Sequence, residues 1–222
     1  MFYNFTDKIL NAIFPEKCFI CGENGQFCCV ACFSKIPQSK IQKYEVYALY
    51  EYKNIYINKL LKQLKYKNTR SVAELFAAEI STFILENYSE NKKIYLIPIP
   101  LSSGDERINN HALEIINKML MLSKSFGNNF ELLDILYKNN KIKQAHIKNR
   151  NARIDNIINK IFIINNLNKK EYDILNNLQN TNESIFIIID DIFTTGATIA
   201  AARKALQERF GVQNIFAITV AH

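Results

Sequence analysis

The chain has 222 residues, of which 48% are hydrophobic and 12% are aromatic, so a disordered protein is excluded. This length suits one α/β domain with a small appendage. The net charge of +7 favours an acidic ligand or partner, with nucleic acid as the first candidate, although a lysine-rich composition by itself gives the same excess. No apolar run reaches the length of a membrane span and no signal peptide is visible, so we expect a cytoplasmic protein without a transmembrane segment.

The first residues of the chain predict an amphipathic helix. Phe2, Phe5, Ile9 and Ile13 recur at helical spacing, which gives residues 1–17 one apolar face. The opposite face is not strongly basic, so we expect this helix to pack against the main domain rather than on a membrane surface.

All five cysteines lie between positions 18 and 32. Cys18, Cys21, Cys29 and Cys32 have the spacing C-x₂-C-x₇-C-x₂-C, in which two pairs of thiolates can surround one tetrahedral ion. In a reducing compartment Zn²⁺ explains this clustering better than disulfides do, with a redox-active pair as the main alternative. Four thiolates leave no open coordination position, so we expect a structural zinc. Cys28 could replace Cys29 as a ligand or take no part.

The rest of the chain alternates between strand and helix patterns, which is typical of an α/β fold with a parallel sheet. We place the N-terminal helix and a zinc knuckle at residues 1–40 and the main domain at residues 44–222. Residues 44–52 predict a strand or a hairpin, and further strands are predicted at residues 94–100, 132–137, 161–164, 185–189 and 215–220. Predicted helices lie at residues 54–66, 72–86, 107–121, 145–156, 172–178 and 197–209.

Residues 185–198 carry the strongest functional signal. The apolar run at 185–189 predicts a central strand buried on both faces, and Asp190 and Asp191 follow where that strand should end. Residues 194–198 then lead into a helix, whose N-terminus beside small hydroxyl residues attracts phosphate. The carboxylates instead suit ribose hydroxyls or hydrated Mg²⁺. A ribose 5-phosphate carrying a metal-bound pyrophosphate meets both demands. A simple strand-end turn is the alternative, while the lack of a G-x-x-x-x-G-K-[ST] motif argues against a P-loop nucleotidase.

The segment I-I-I-D-D-I-F-T-T-G-A-T resembles the binding motif of the phosphoribosyltransferases that use phosphoribosyl pyrophosphate (PRPP). With the cysteines before it, nearly the whole chain is similar to the ComF family, the competence-associated, phosphoribosyltransferase-like proteins of bacteria. The family's L-K-Y and P-[VI]-P motifs correspond to residues 64–66 and 98–100. Arg-Ile-Asn-Asn-His at 107–111 stands where the family usually has R-G-F-N-Q. The family's Q-x₂-[LI]-x₅-R-x₂-N pattern is matched by Gln144, Ile147, Arg153 and Asn156.

The resemblance implies a type I phosphoribosyltransferase-like parallel sheet flanked by helices, with a site for PRPP and Mg²⁺. The implied PRPP-binding residues are Asp190, Asp191, Ile192, Phe193, Thr194, Thr195, Gly196, Ala197 and Thr198. The candidates for binding the pyrophosphate are Leu101, Ser102, Ser103 and Lys65. His111 is expected to be an ordinary polar helix residue rather than a metal ligand.

By resemblance, the protein acts in natural transformation, in the uptake or handling of single-stranded DNA, together with other DNA-uptake proteins. Lysines and tyrosines in the first predicted helix of the main domain could grip a strand by charge and stacking, with a plain solvated helix face as the alternative. The candidate DNA-binding residues are Lys62, Lys65, Tyr66, Lys67, Lys143, Arg150 and Arg153. Two other functions stay open: transfer of a phosphoribosyl group to a nitrogenous base, and PRPP sensing without turnover.

Overall fold

The computed structural model describes residues 16–39, 41–43, 45–67, 70–88, 92–101, 110–126, 130–138, 161–163, 167, 169–176 and 184–222. Several sequence predictions lie outside these residues. They are most of the N-terminal helix, the helix at 145–156, and the site candidates Ser102, Ser103, Lys143, Arg150 and Arg153.

The described residues form alternating helices and strands. The helices are α1 (Val30–Phe33), α2 (Ile55–Lys67), α3 (Arg70–Asn87), α4 (His111–Phe126), α5 (Lys169–Asn176) and α6 (Ala197–Phe210). The strands are β1 (Ile41–Lys43), β2 (Val46–Tyr50), β3 (Lys93–Pro98), β4 (Phe130–Leu132), β5 (Leu136–Lys138), β6 (Ile161–Ile163), β7 (Ser184–Ile192) and β8 (Ile215–Ala221). None of these helices combines the length and the apolar character needed to cross a membrane.

The main sheet has six strands in the order β1-β2-β8-β7-β3-β4. Strands β2, β8, β7, β3 and β4 run parallel, and β1 is antiparallel because it forms a hairpin with β2 at one edge. The α/β fold with a mostly parallel sheet is therefore confirmed. Strands β5 and β6 pair with each other, antiparallel, outside this sheet.

Strand β7 is buried on both faces, as its sequence predicts. Ile185, Ile187 and Ile189 pack into a cluster with residues of α2, α3 and α4. Phe186 and Ile188 point to the other face and pack into a second cluster with residues of α6. Because alternate side chains of a strand point to opposite faces, five consecutive apolar residues require a helical layer on each side.

Helix α2 begins at a side-chain cap and presents one apolar stripe to the core. The side-chain oxygen of Asn54 accepts hydrogen bonds from the backbone N–H groups of Tyr56 (3.0 Å) and Ile57 (3.3 Å). Its fully buried residues are Ile57, Leu60, Leu61 and Leu64, in the helical spacing that the sequence predicted. This register leaves Lys65 on the flank of the buried stripe.

One prediction about the middle of the chain was wrong and another was confirmed. The strand predicted at 132–137 is two strands: β4 ends the main sheet, and β5 leaves it to pair with β6. Ile135 and Leu136 are adjacent and both buried, which breaks the alternation of one continuous strand and turns the chain onto the other face of the sheet. The strand predicted at 161–164 is confirmed as β6, which lies outside the main sheet.

The strand order makes the carboxyl ends of β3 and β7 a topological switch point, which is the position of the ligand crevice in open α/β sheets. Along the chain β3 is followed by β4 on one side, whereas β7 is followed by β8 on the other. The connections leaving these two neighbouring strands therefore diverge, and ligands of open α/β sheets bind at such a point. Leu101 lies in the connection after β3, which begins at Ile99, and Phe193 begins the one after β7.

Candidate functional site

Asp190 and Asp191 lie at the carboxyl end of β7, next to this crevice, and both are partly exposed. The backbone N–H of Asp191 donates to Oδ1 of Asp190 at 2.9 Å, which fixes the orientation of the Asp190 carboxylate. The sequence prediction that the two carboxylates end the central strand is confirmed by these positions.

Lys65 of α2 reaches the same point from the neighbouring layer. Its Nζ lies 2.8 Å from Oδ2 of Asp191, and the two side chains are 31% and 16% exposed. Half-burial reduces solvent screening, so this pair is electrostatically stronger than a surface pair. The sequence had placed Lys65 among both the pyrophosphate and the DNA candidates, and the structure brings it to the carboxylate pair.

A small depression follows the carboxylates at the N-terminus of α6. It is lined by Asp190, Ile192, Phe193, Thr194, Gly196, Thr198 and Ile199. The first backbone N–H groups of a helix have no acceptor within that helix, and α6 has no acidic residue in its first turn. The depression is shallow and open to solvent, and the N–H groups at its base can donate to an anion such as phosphate.

Gly196 gives this loop a backbone conformation that a residue with a Cβ would adopt only with strain. Its φ of +75° is in the left-handed region, and a Cβ built there would lie 2.9 Å from Cε2 of Phe193. Phe193 is itself anchored, because its N–H donates to the Ala221 carbonyl at 2.8 Å and its ring is buried. Inside the loop the Ala197 N–H donates to Oγ1 of Thr195 at 3.4 Å, while the side chains of Thr194 and Thr195 are exposed.

The opposite side of the crevice is formed by the end of β3 and the start of α4. Leu101 is partly exposed there. Asn110 caps α4 by accepting from the Leu113 N–H at 3.1 Å, and its amide donates to the Ile99 carbonyl at 3.0 Å. Asn110 therefore ties α4 to β3.

His111, which the sequence did not single out for the site, is 7% exposed and contacts α2. Its Nε2 lies 3.4 Å from the carbonyl oxygen of Lys65. Burial lowers the pKa of His111, and the nearby charge of Asp191 opposes that shift only in part. A sequence signal for this contact is lacking, because a histidine at the start of a helix has many structural uses.

The predicted cysteine ligands come together before the main domain. The sulfur atoms of Cys18, Cys21, Cys29 and Cys32 all lie within 4.8 Å of one another, with Cys21 and Cys29 at 3.7 Å. Sulfur atoms around a tetrahedral ion with bonds of about 2.3 Å are roughly 3.8 Å apart, so the four thiols can hold a metal ion such as zinc. The Cys29 N–H donates to Sγ of Cys18 at 3.4 Å and supports this arrangement.

Cys28 lies outside this group of four sulfur atoms and inside the hydrophobic core. Cys28 is fully buried in the hydrophobic core beside Phe33, and burial raises the pKa of its thiol to about 12. Within the cluster the thiols differ: burial opposes the Cys18 thiolate but backbone N–H groups lower its pKa to about 6, whereas burial raises the pKa of Cys32 to about 12. Cys28 is therefore a core residue, which answers the question that the sequence left open.

The segment at residues 18–33, called the cysteine module, packs on the N-terminal half of α2 and on the core. Phe19 and Phe27 stack with ring centroids 4.9 Å apart, and Nζ of Lys59 lies 4.4 Å from the Phe19 centroid. Phe33 contacts the rings of Tyr50 and Phe76 at 5.8 and 5.9 Å. These contacts join the module to the helix that carries Lys65.

The described DNA-binding candidates cluster in the last turns of α2. Lys62, Tyr66 and Lys67 are exposed, and 81% of the Tyr66 surface is accessible. With Lys65, they form a basic and aromatic end of the helix next to the crevice.

No protein-family model and no curated protein matches this sequence. Among solved structures, a hypoxanthine phosphoribosyltransferase from Staphylococcus aureus is similar, with 16% sequence identity and a TM-score of 0.39. The similarity covers 75% of this chain and 71% of that one. A TM-score this low supports no inference about fold or function.

The cysteine geometry predicts that one thiol is essential for metal binding and its neighbour is not. We expect the purified protein to bind one Co²⁺ with the absorption of tetrahedral thiolate coordination. Cys29→Ser removes a ligand, so its metal affinity should fall by more than the roughly 10–100-fold that loss of an outer-shell partner costs. Cys28→Ser is the matched control and should keep the spectrum. Loss of the spectrum in Cys28→Ser alone would contradict the assignment.

The geometry of Gly196 predicts a larger stability loss than its backbone conformation alone would cause. Gly211 ends α6 with a φ of +67° and has open space at the Cβ position. Gly211→Ala should therefore cost only the left-handed strain of about 1–2 kcal/mol in urea unfolding. Gly196→Ala adds the contact with Phe193 and should cost more. Phe193→Leu should reduce that excess in a double-mutant cycle, and equal losses at the two glycines would contradict this account.

Proposed function

We propose that this chain is a PRPP-binding protein with a type I phosphoribosyltransferase-like domain, related to the ComF family. The observation that supports it best is the placement of the D-D-I-F-T-T-G-A-T segment. Its carboxylates and its helix N-terminus lie together at the point of the sheet where ligands of α/β folds bind. A ligand with a phosphate at one end and a diol nearby fits this pair of features.

Each part of the site has a role in this proposal. Residues 194–198 and the N-terminus of α6 bind the 5-phosphate through N–H and hydroxyl donors. Asp190 and Asp191 accept hydrogen bonds from the ribose hydroxyls. Lys65 and the connection after β3, at Leu101, Ser102 and Ser103, bind the pyrophosphate. Mg²⁺ bound with PRPP would neutralise charge on the pyrophosphate, and partly exposed carboxylates suit that ion.

In the same proposal the four cysteines hold a structural Zn²⁺. We divide the chain into a module with the N-terminal helix and this zinc finger, residues 1–40, and the phosphoribosyltransferase-like domain, residues 44–222. The sulfur spacing supports the metal site, and the fully thiolate donor set supports zinc with no open position for catalysis. The module stabilises the start of α2 through Phe19, Phe27 and Lys59.

Binding of PRPP is tested by calorimetry with Mg²⁺ on the wild type and on Asp190→Asn/Asp191→Asn. Each charged hydrogen bond contributes about 1.5–3 kcal/mol, so the double variant should bind at least about 100-fold more weakly. Asp173→Asn/Glu208→Gln changes the charge equally at exposed positions outside the site and should bind as the wild type does. Undiminished binding by the aspartate variant would refute the proposal.

Catalysis is a separate part of the proposal. In phosphoribosyl transfer, a ring nitrogen of the acceptor base forms a bond to the anomeric carbon, the bond to the pyrophosphate oxygen breaks, and the base releases its N–H proton. Lys65 and the α6 donors would stabilise the charge on the leaving group and on the phosphate. Pyrophosphate release in a screen of nitrogenous bases distinguishes turnover from binding or sensing alone.

A second proposed function is the binding of single-stranded DNA in natural transformation, in the cytoplasm and with other DNA-uptake proteins. The exposed Lys62, Tyr66 and Lys67 at the end of α2 support it, because lysines attract the strand and a tyrosine ring stacks on a base. The net charge of +7 adds non-specific attraction.

The DNA role predicts separable effects of charge and stacking. Fluorescence anisotropy with an unstructured oligonucleotide should show affinity that falls as salt increases. Tyr66→Ala should weaken binding about tenfold through lost stacking, with an unchanged salt slope. Lys62→Gln/Lys67→Gln should reduce the slope itself, whereas Lys35→Gln/Lys204→Gln, exposed elsewhere, should leave it nearly unchanged. Salt-independent binding, or none, would remove the DNA role.

A further inference from the structure

His111, at the start of α4, is buried against the last turn of α2. It is the first residue of α4, directly after the capping Asn110, and it is almost completely buried. Its Nε2 lies 3.4 Å from the carbonyl oxygen of Lys65. A carbonyl can only accept a hydrogen bond, so this contact requires the tautomer with the proton on Nε2.

The carbonyl that His111 contacts is one that α2 cannot satisfy by itself. Helix α2 ends at Lys67, and the last four carbonyls of a helix have no N–H partner within it. The Lys65 carbonyl belongs to this last turn. The imidazole therefore caps the C-terminus of α2 from the neighbouring helix, and it does so at the residue whose side chain enters the site.

The other end of Lys65 makes the ion pair with Asp191. Its carbonyl is held by His111 of α4, while its ammonium lies 2.8 Å from the carboxylate at the end of β7. Lys65 thus connects three elements, and its reach to Asp191 depends on the position of the last turn of α2. In the free protein the Asp191 carboxylate is already neutralised by Lys65.

We propose that His111 is a positioning residue for Lys65, and that Lys65 is a counter-ion that ligand hydroxyls displace from Asp191. This inference rests on the proposed PRPP site. When ribose hydroxyls bind to Asp191, the ammonium is released from the carboxylate. The released Lys65 ammonium then pairs with the pyrophosphate of the same ligand. The site therefore favours a ribose phosphate that carries a second anionic group.

This exchange gives opposite expectations for two ligands. When PRPP binds, the loss of the Lys65–Asp191 ion pair is offset by a new contact between the Lys65 ammonium and the pyrophosphate. Ribose 5-phosphate has the same hydroxyls and phosphate but no group to receive the ammonium. Lys65→Gln should therefore weaken PRPP binding at least about tenfold, the usual loss for a charged hydrogen bond. The affinity for ribose 5-phosphate should stay the same or rise.

The His111 variants separate positioning from mere packing. His111→Gln places an amide N–H near the position of Nε2 and should keep PRPP affinity within about twofold. His111→Ala loses the cap and should weaken PRPP binding about fivefold, with little change for ribose 5-phosphate. Lys118→Gln is the matched control, because Lys118 pairs with Glu74 across two helices outside the site. It should bind both ligands as the wild type does.

Nitrogen NMR of the imidazoles provides a readout besides affinity. The chain has three histidines, so the His111 signals can be assigned by their absence in His111→Gln. We expect the Nε2–H tautomer in the free protein and in Lys65→Gln, since the contact is to the backbone. The opposite tautomer would overturn the positioning role.

The binding affinities measured by calorimetry also test the proposed exchange. Equal loss of both ligands in Lys65→Gln would make Lys65 a general stabiliser and overturn the exchange. Equal weakening by His111→Ala and His111→Gln, or no change with Lys65→Gln, would overturn it too. These results all need a wild type that binds PRPP. A wild type that binds neither ligand is a failure of the proposed function itself, and the inference falls with it.

Discussion

The two-sided burial of β7 is the constraint on which the rest of the structure depends. Five apolar residues in succession can leave water only if one helical layer covers each face of the sheet. The layer of α2, α3 and α4 covers one face, and α6 covers the other. Asp190 and Asp191 follow directly, at the carboxyl edge of the sheet. The same burial that stabilises the strand therefore delivers two charges to a place where a ligand can reach them.

Most of what periodicity encodes could be predicted from the sequence. The central strand, the buried stripe of α2 and the cysteine cluster are local patterns, and the structure confirms them. The division of residues 132–137 could not be predicted, because it depends on which face buries Ile135 and Leu136. The contacts of Lys65 with Asp191 and His111 were also invisible, since they join residues far apart in sequence whose types have many other uses. Contacts between polar side chains that lie far apart in the sequence produce no periodic pattern in it.

Helix α2 is restrained at both ends by groups of different chemistry. Asn54 caps its first turn, and the aromatic residues of the cysteine module cover its N-terminal half. Its last turn meets the imidazole of His111 and the carboxylate of Asp191. A helix of 13 residues is about 20 Å long, so it connects two sites that share no residue. The cysteine module and the Lys65 contacts therefore lie at opposite ends of one helix.

The place of β8 in the sheet has a consequence for how the chain reaches its native state. β8 follows every other strand along the chain, yet it lies between β2 and β7 near the centre of the sheet. Residues 46–50 consequently pair with residues 217–221, and this contact closes one of the longest loops available. During synthesis β2 must wait for nearly the whole chain before it gains its parallel neighbour. Such a topology folds slowly and exposes unpaired strand edges meanwhile, so assistance by chaperones is of most value for the nascent chain.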